Sequence, residues 1–145
     1  MQQSNRPIQT SCACVRARRA ARSLTDVYDE ALRPAGLKIT QFSALRTASR
    51  LGPVSISALA EEMALDRSTL GRNLLLLERR GLVRLGPGDD QRERSVSVTP
   101  AAQRLLVRAV PLWEQAQRTV ERALGKDDMH ALFDLLARVE RLRPG

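Results

Sequence analysis

The sequence predicts a mainly α-helical protein carrying one small β-hairpin. Three observations point there. Aromatic residues make up only 3% of the 145-residue chain against 43% hydrophobic residues overall, so the core must be built from Leu, Ala and Val. Sheet sandwiches draw instead on aromatic and β-branched residues. Long stretches repeat their apolar residues with the helical period, and a period of two shows up in one place, residues 82–99, around a Gly/Pro-containing loop.

Residues 1–11 read as a flexible N-terminal arm. From Cys12 to Leu32, CACVRARRAARSLTDVYDEAL has a helical pattern: Val15, Ala20, Leu24, Val27 and Ala31 share a face, and Arg16, Arg18, Arg19 and Arg22 supply the polar side. Pro34 and Gly36 end it. Thr40 is placed to cap a second helix, QFSALRTASRL, which Gly52 and Pro53 stop. Ser55 or Ser57 opens a third, short helix, SALAEEMAL, whose glutamates are read as first-turn acids. Asp66 caps a fourth, and Gly81 stands where a left-handed residue closes a helix. LVRL and SVSVT then flank the polar loop GPGDDQRER as two short strands. Pro100 suits the first turn of a long helix, AAQRLLVRAVPLWEQAQRTVERAL, in which Pro111 is expected to place a kink. Gly125 and Lys126-Asp127-Asp128 interrupt the pattern before a last helix, MHALFDLLARVERL.

Residues 12–145 thus form a single domain. Three helices followed by a hairpin, over 38–99, are the layout of a winged helix-turn-helix, with a recognition helix at 66–80 and a wing at 82–99. The helices at 12–35 and 100–145 flank it and leave apolar faces that need a partner.

The fourth helix carries the chemistry. At 100° per residue, with Ser68 at zero, Arg72 lies near 40°, Thr69 near 100° and Asn73 near 140°, while Leu70, Leu74 and Leu77 fall at roughly 180–240°. Ser68, Thr69, Arg72 and Asn73 therefore make one outward patch on the first two turns, beside Arg67 and at the positive end of the helix dipole. Hydroxyls bind phosphates or bases, Arg pairs with guanine and Asn with adenine in the major groove. A capped surface helix would look similar by itself. The following loop favours the DNA reading, because Arg92 and Arg94 sit on a hairpin directly after the helix, where an arginine can enter a narrow minor groove. Asp90 can hold such an arginine by a charge-assisted bond.

The charge agrees. The chain holds 24 basic and 16 acidic residues, a net +8, and all but Lys38 and Lys126 of the basic set are Arg. Such an excess suits a polyanion, here double-stranded DNA. Residues 66–94 are only modestly basic, with seven Arg against five acids; the larger excess lies in residues 1–22, with five Arg and no acid. That keeps open a second class of function, a winged-helix protein–protein adaptor that does not read DNA. An enzyme is excluded by what is missing: no Gly-rich phosphate loop, no HExxH, no GxSxG, and a single histidine, His130. No cofactor is implied. The longest apolar run, Leu74 to Leu77, is far too short to span a bilayer, and the N-terminus lacks an apolar signal core, so the expected compartment is the cytoplasm.

TQFSAL in the second helix, SISALAEEMALDRSTLGRNLLLLERRGLVR through the helix-turn-helix and DDQRERSVSVTPAA from the wing into the long helix resemble the MarR family of bacterial transcriptional regulators. The resemblance runs from about Cys12 to Leu142. It implies a homodimer, with the end helices of two chains interlocked and each winged helix presented to one half-site of a pseudo-palindromic operator, and a repressor rather than an activator. By resemblance Ser68, Thr69, Arg72 and Asn73 fall in the recognition helix, and Asp90 and Arg92 on the wing's Asp-x-Arg motif. Gly71, Leu75 and Leu76 depart from the family pattern, which favours polar residues there.

The resemblance also bears on regulation. Some members sense oxidants with a cysteine near the first helix, and Cys12 and Cys14 form a C-A-C pair with Arg16, Arg18 and Arg19 close by in sequence. Two ordinary small residues at a dimer contact are the favoured alternative. With one distant histidine the pair makes no metal site. Other members bind small anionic aromatic effectors in a crevice between the dimerisation helices and the winged helix; Arg16, Arg19, Arg46 or Trp113 are candidates to line one here.

Overall fold

The computed structural model describes residues 6–87 and 93–145. The elements are α1 (Ile8–Ser11), α2 (Ala13–Leu32), α3 (Ile39–Leu51), β1 (Val54–Ser55), α4 (Ile56–Met63), α5 (Arg67–Arg79), β2 (Val83–Pro87), β3 (Arg94–Val98), α6 (Pro100–Leu124) and α7 (Lys126–Glu140). A single 3₁₀ turn, Arg33–Ala35, closes α2. Two elements differ from expectation. One exposed helical turn, α1, occupies part of the supposed arm. A third strand, β1, joins the hairpin to make an antiparallel sheet of order β1-β3-β2, with Val54 opposite Val96 and Val83 opposite Val98. Two residues are too few to show a period, so only pairing with β3 reveals β1.

The core lies between α3, α4 and α5 on one side and the sheet and α6 on the other. Phe42, Leu45, Leu59, Leu70, Leu74 and Leu77 meet Val83, Val96, Leu105, Leu106 and Ala109 there. Each fully buried leucine contributes roughly 1.5–3 kcal/mol relative to an exposed one. In contrast, α7 buries no residue.

Helix ends show where local signals suffice. Ser55, rather than Ser57, caps α4, accepting from the Ala58 N–H at 3.0 Å. That start puts Glu61 and Glu62 in the second turn, not the first, and Glu62 pairs instead with Arg50 at 2.5 Å. Asp66 caps α5. At its other end, Leu82 N donates to Leu77 O at 3.0 Å and Gly81 N to Glu78 O at 2.9 Å, with Gly81 at φ +73° as expected of a closing glycine. Thr40, however, does not cap α3. The helix begins at Ile39, whose N–H donates to Asp29 Oδ1 of α2 at 2.8 Å, while Gln41 Oε1 accepts from Lys38 N at 3.0 Å. A cap supplied from another helix leaves no local signature. The helical run of α6 is unbroken at Pro111. Proline frees the carbonyl four residues earlier, that of Val107, and both residues are exposed, so water can take the lost partner's place. Lys126-Asp127-Asp128, read as an interruption, forms the first turn of α7, where the two acids suit the helix dipole; Gly125 alone makes the corner, at φ +86°.

Candidate nucleic-acid interface

The interface is built on α5. Leu70, Leu74 and Leu77 are fully buried and fix the helix to the core, which turns Arg67, Ser68, Thr69 and Arg72 to solvent and leaves Asn73 half-buried. The structure thus brings all five recognition-helix candidates together on one end of one element.

Asp66 organises that end. Its Oδ1 accepts from the Thr69 N–H at 2.8 Å and from the Ser68 hydroxyl at 2.7 Å, and its Oδ2 accepts from the Thr69 hydroxyl at 2.5 Å. These bonds, first the Thr69 hydroxyl, then the Ser68 hydroxyl and the Thr69 N–H, hold its carboxyl far below the usual range, and Arg72 adds a smaller pull in the same direction. The carboxylate therefore stays ionised and occupies both hydroxyl protons. What Ser68 and Thr69 turn outward is oxygen lone pairs, suited to an amino group on a base edge. Arg72 Nη2 stands 3.5 Å from Thr69 Oγ1, at the limit of hydrogen-bond range, which keeps the guanidinium beside the hydroxyls.

Two further contacts seat the wing. Glu78 Oε2, from the last turns of α5, accepts from Leu85 N in β2 at 3.1 Å. Buried Thr99 donates its hydroxyl to Gly81 O at 2.7 Å and accepts from Ala102 N at 3.2 Å, tying the end of α5 to the start of α6. Arg80 Nη1 donates to Gly36 O at 2.8 Å and anchors α5 to the turn after α2. Sequence reasoning missed all three links, which join residues 7 to 44 positions apart. Arg94 is exposed at the end of the β2–β3 ladder farthest from α6, opposite Pro87. Asp90 and Arg92 lie outside the described residues.

The effector candidates separate. Arg46 lies with its guanidinium 4.9 Å from the Trp113 ring centroid and 5.8 Å from that of Phe42, and the two rings stack at 6.1 Å and 23°. They line an open groove of about 380 Å³ with Ser43, Thr47 and Arg50. Phe42 and Arg50 were not foreseen there, and Arg16 and Arg19 stand exposed on α2, outside it. Cys12 is half-buried at the start of α2, Cys14 is exposed, and both are free thiols. His130 is exposed on α7. Among the described residues no cluster of three His, Cys, Asp or Glu could hold a metal ion, and no helix is long and apolar enough to cross a membrane.

A helix-turn-helix, a β-ribbon wing and an exposed polar helix end on a rigid leucine platform define a winged-helix DNA-binding protein. The MarR family model matches residues 37–93, the whole helix-turn-helix and most of the wing. A structure of the transcriptional regulator MosR of M. tuberculosis in complex with DNA is 40% identical, covers 90% of this chain and 99% of its own, and superposes with a TM-score of 0.74. The HTH-type transcriptional regulator FarR of Neisseria gonorrhoeae is 27% identical over 124 residues, 85% of each chain. A mutant E. coli MarR complexed with operator DNA, 20% identical over 93% of this chain and 99% of its own, shares the fold at a TM-score of 0.82. The chain belongs to the MarR family of DNA-binding transcriptional regulators; it is not an enzyme.

Proposed function

We propose that the protein is a homodimeric repressor that binds a pseudo-palindromic operator, with half-sites about one helical turn apart. Arg67, Ser68, Thr69, Arg72 and Asn73 enter the major groove, and Asp90, Arg92 and Arg94 of the wing serve the flanking minor groove. The observation that carries this reading is the first two turns of α5, where side chains able to read base edges are exposed on a helix whose opposite face is fully buried. Residues 12–35 and 100–145 supply the dimer contact. Phe133, Leu135, Leu136 and Val139 of α7, with Leu142 just beyond it, are exposed large apolar side chains that one chain alone leaves in water. Release follows from a small anionic aromatic molecule in the Arg46–Trp113 groove, where a cation and two ring faces suit it, or from oxidation of Cys12 or Cys14.

The test is fluorescence anisotropy of the reduced protein on DNA from just upstream of its own gene, and on sites selected from random sequence, at several salt concentrations beside a scrambled control. Arg72→Ala is expected to cost roughly 1–3 kcal/mol on the specific site, the range of a good base contact. An equal loss on scrambled DNA would make Arg72 a phosphate contact. No preference for any selected site would sink the DNA-reading proposal and favour a protein–protein adaptor. Repeating the titration with peroxide or with salicylate-like anions separates the two release routes.

A further inference from the structure

One leucine of α5 is out of place. Leu70, Leu74 and Leu77 are fully buried, but Leu76 is 50% exposed. By the same angular count it lies near 80°, inside the sector from about 0° to 140° held by Ser68, Arg72, Thr69 and Asn73. It follows Arg72 by four residues and Asn73 by three, so its side chain leans back over both along the same helix face. Leu75, also exposed, falls near 340°, at the edge of that sector rather than within it. A large apolar group in this sector, about 4.5 Å beyond Asn73 along the axis, has no favourable contact with phosphate. The major groove offers one apolar feature, the C5-methyl group of thymine.

We propose that Leu76 is a specificity-determining residue that packs on a thymine methyl group in each half-site. The inference rests on α5 being the recognition helix. The hydroxyls of Ser68 and Thr69 stand eight and seven residues before Leu76, about 12 and 10 Å back along the helix axis, so they face a different base pair. With their protons bound to Asp66, those hydroxyls present acceptors, which suit an amino group on a base edge, whereas Leu76 offers only an apolar surface, which suits a thymine methyl group.

Replacing thymine by uracil removes that methyl group and leaves base pairing intact, so it tests the contact directly. A selected operator is made with uracil at each half-site thymine in turn, and binding is followed by anisotropy for the wild type and for Leu76→Ala. At one thymine per half-site, the wild type is expected to lose affinity about fourfold, the factor for burying one methyl-sized group. Leu76→Ala is expected to bind thymine and uracil operators alike. Indifference of the wild type to uracil at every half-site thymine overturns the proposal. So does a Leu76→Ala protein that still loses the same factor on uracil, since the methyl group is then read by another side chain. Arg72→Ala on the same operators keeps the two readings apart: if it destroys sequence preference while uracil has no effect, the recognition helix stands and the Leu76 contact falls.

Discussion

Thr99→Val isolates the link between α5 and the start of α6. Valine has nearly the shape of threonine, so the substitution opens no cavity at this buried site. It removes two hydrogen bonds through one atom. Loss of the 3.2 Å bond from Ala102 N uncaps α6, which costs about 1 kcal/mol. Loss of the 2.7 Å bond to Gly81 O leaves that carbonyl without its protein partner, and because Gly81 is exposed and water can reach it, this costs about 0.5–1 kcal/mol. Together the loss is about 2 kcal/mol. Urea unfolding at fixed protein concentration measures it, since any dimer equilibrium adds a concentration term. Thr99→Ser keeps both bonds and loses one buried methyl group, so it should cost about 1 kcal/mol, half the loss of the valine variant. A Thr99→Val protein as stable as the wild type, or a serine variant as damaged as the valine one, would refute the clamp.

Two further expectations follow from the site and the helices around it. Asp66 has its carboxyl held well below its ordinary value of 3.8, so its stabilising effect is complete above that value and is lost as pH falls beneath it. Asp66→Asn should therefore be less stable than the wild type at about pH 5.5, with the gap narrowing toward about pH 2.5; thermal melts giving a constant gap would show that Asp66 is not the titrating group. Phe133→Asp places a charge on the exposed apolar face of α7 and should shift sedimentation from dimer to monomer, with weakened operator binding; a variant that stays dimeric would move the subunit contact elsewhere.

Much of the fold was legible because its signals are local. Asp66 and Gly81 bracket α5 through bonds spanning three to five residues, and a capping side chain or a left-handed glycine is chosen by that short geometry alone. The period of α5 separated its buried leucines from its polar end, and both assignments hold. What the sequence hid was set at a distance. Asp29 reads as one more polar residue of α2 until α3 is packed against it, and only then is it the acceptor for Ile39 N. Thr40 looked like a better cap because local propensity knows nothing of that neighbour. The start of α7 was hidden differently. A lysine and two aspartates resemble a loop by composition, although acids in a first turn are favourable.

The site repeats this division at finer scale. Residue types and angles were enough to name Ser68, Thr69, Arg72 and Asn73 as a patch, but not to say what the patch presents. That depends on where two protons sit. A serine or threonine hydroxyl is both donor and acceptor, and left alone it can bind a phosphate or a base. Asp66 removes the choice, because an ionised carboxylate only accepts and takes both protons. The residue that reads as a helix cap thus also sets the hydrogen-bonding polarity of the two side chains that follow it. The cap and the patch are one device: the geometry that starts the helix also fixes what Ser68 and Thr69 can present to solvent, acceptors rather than donors.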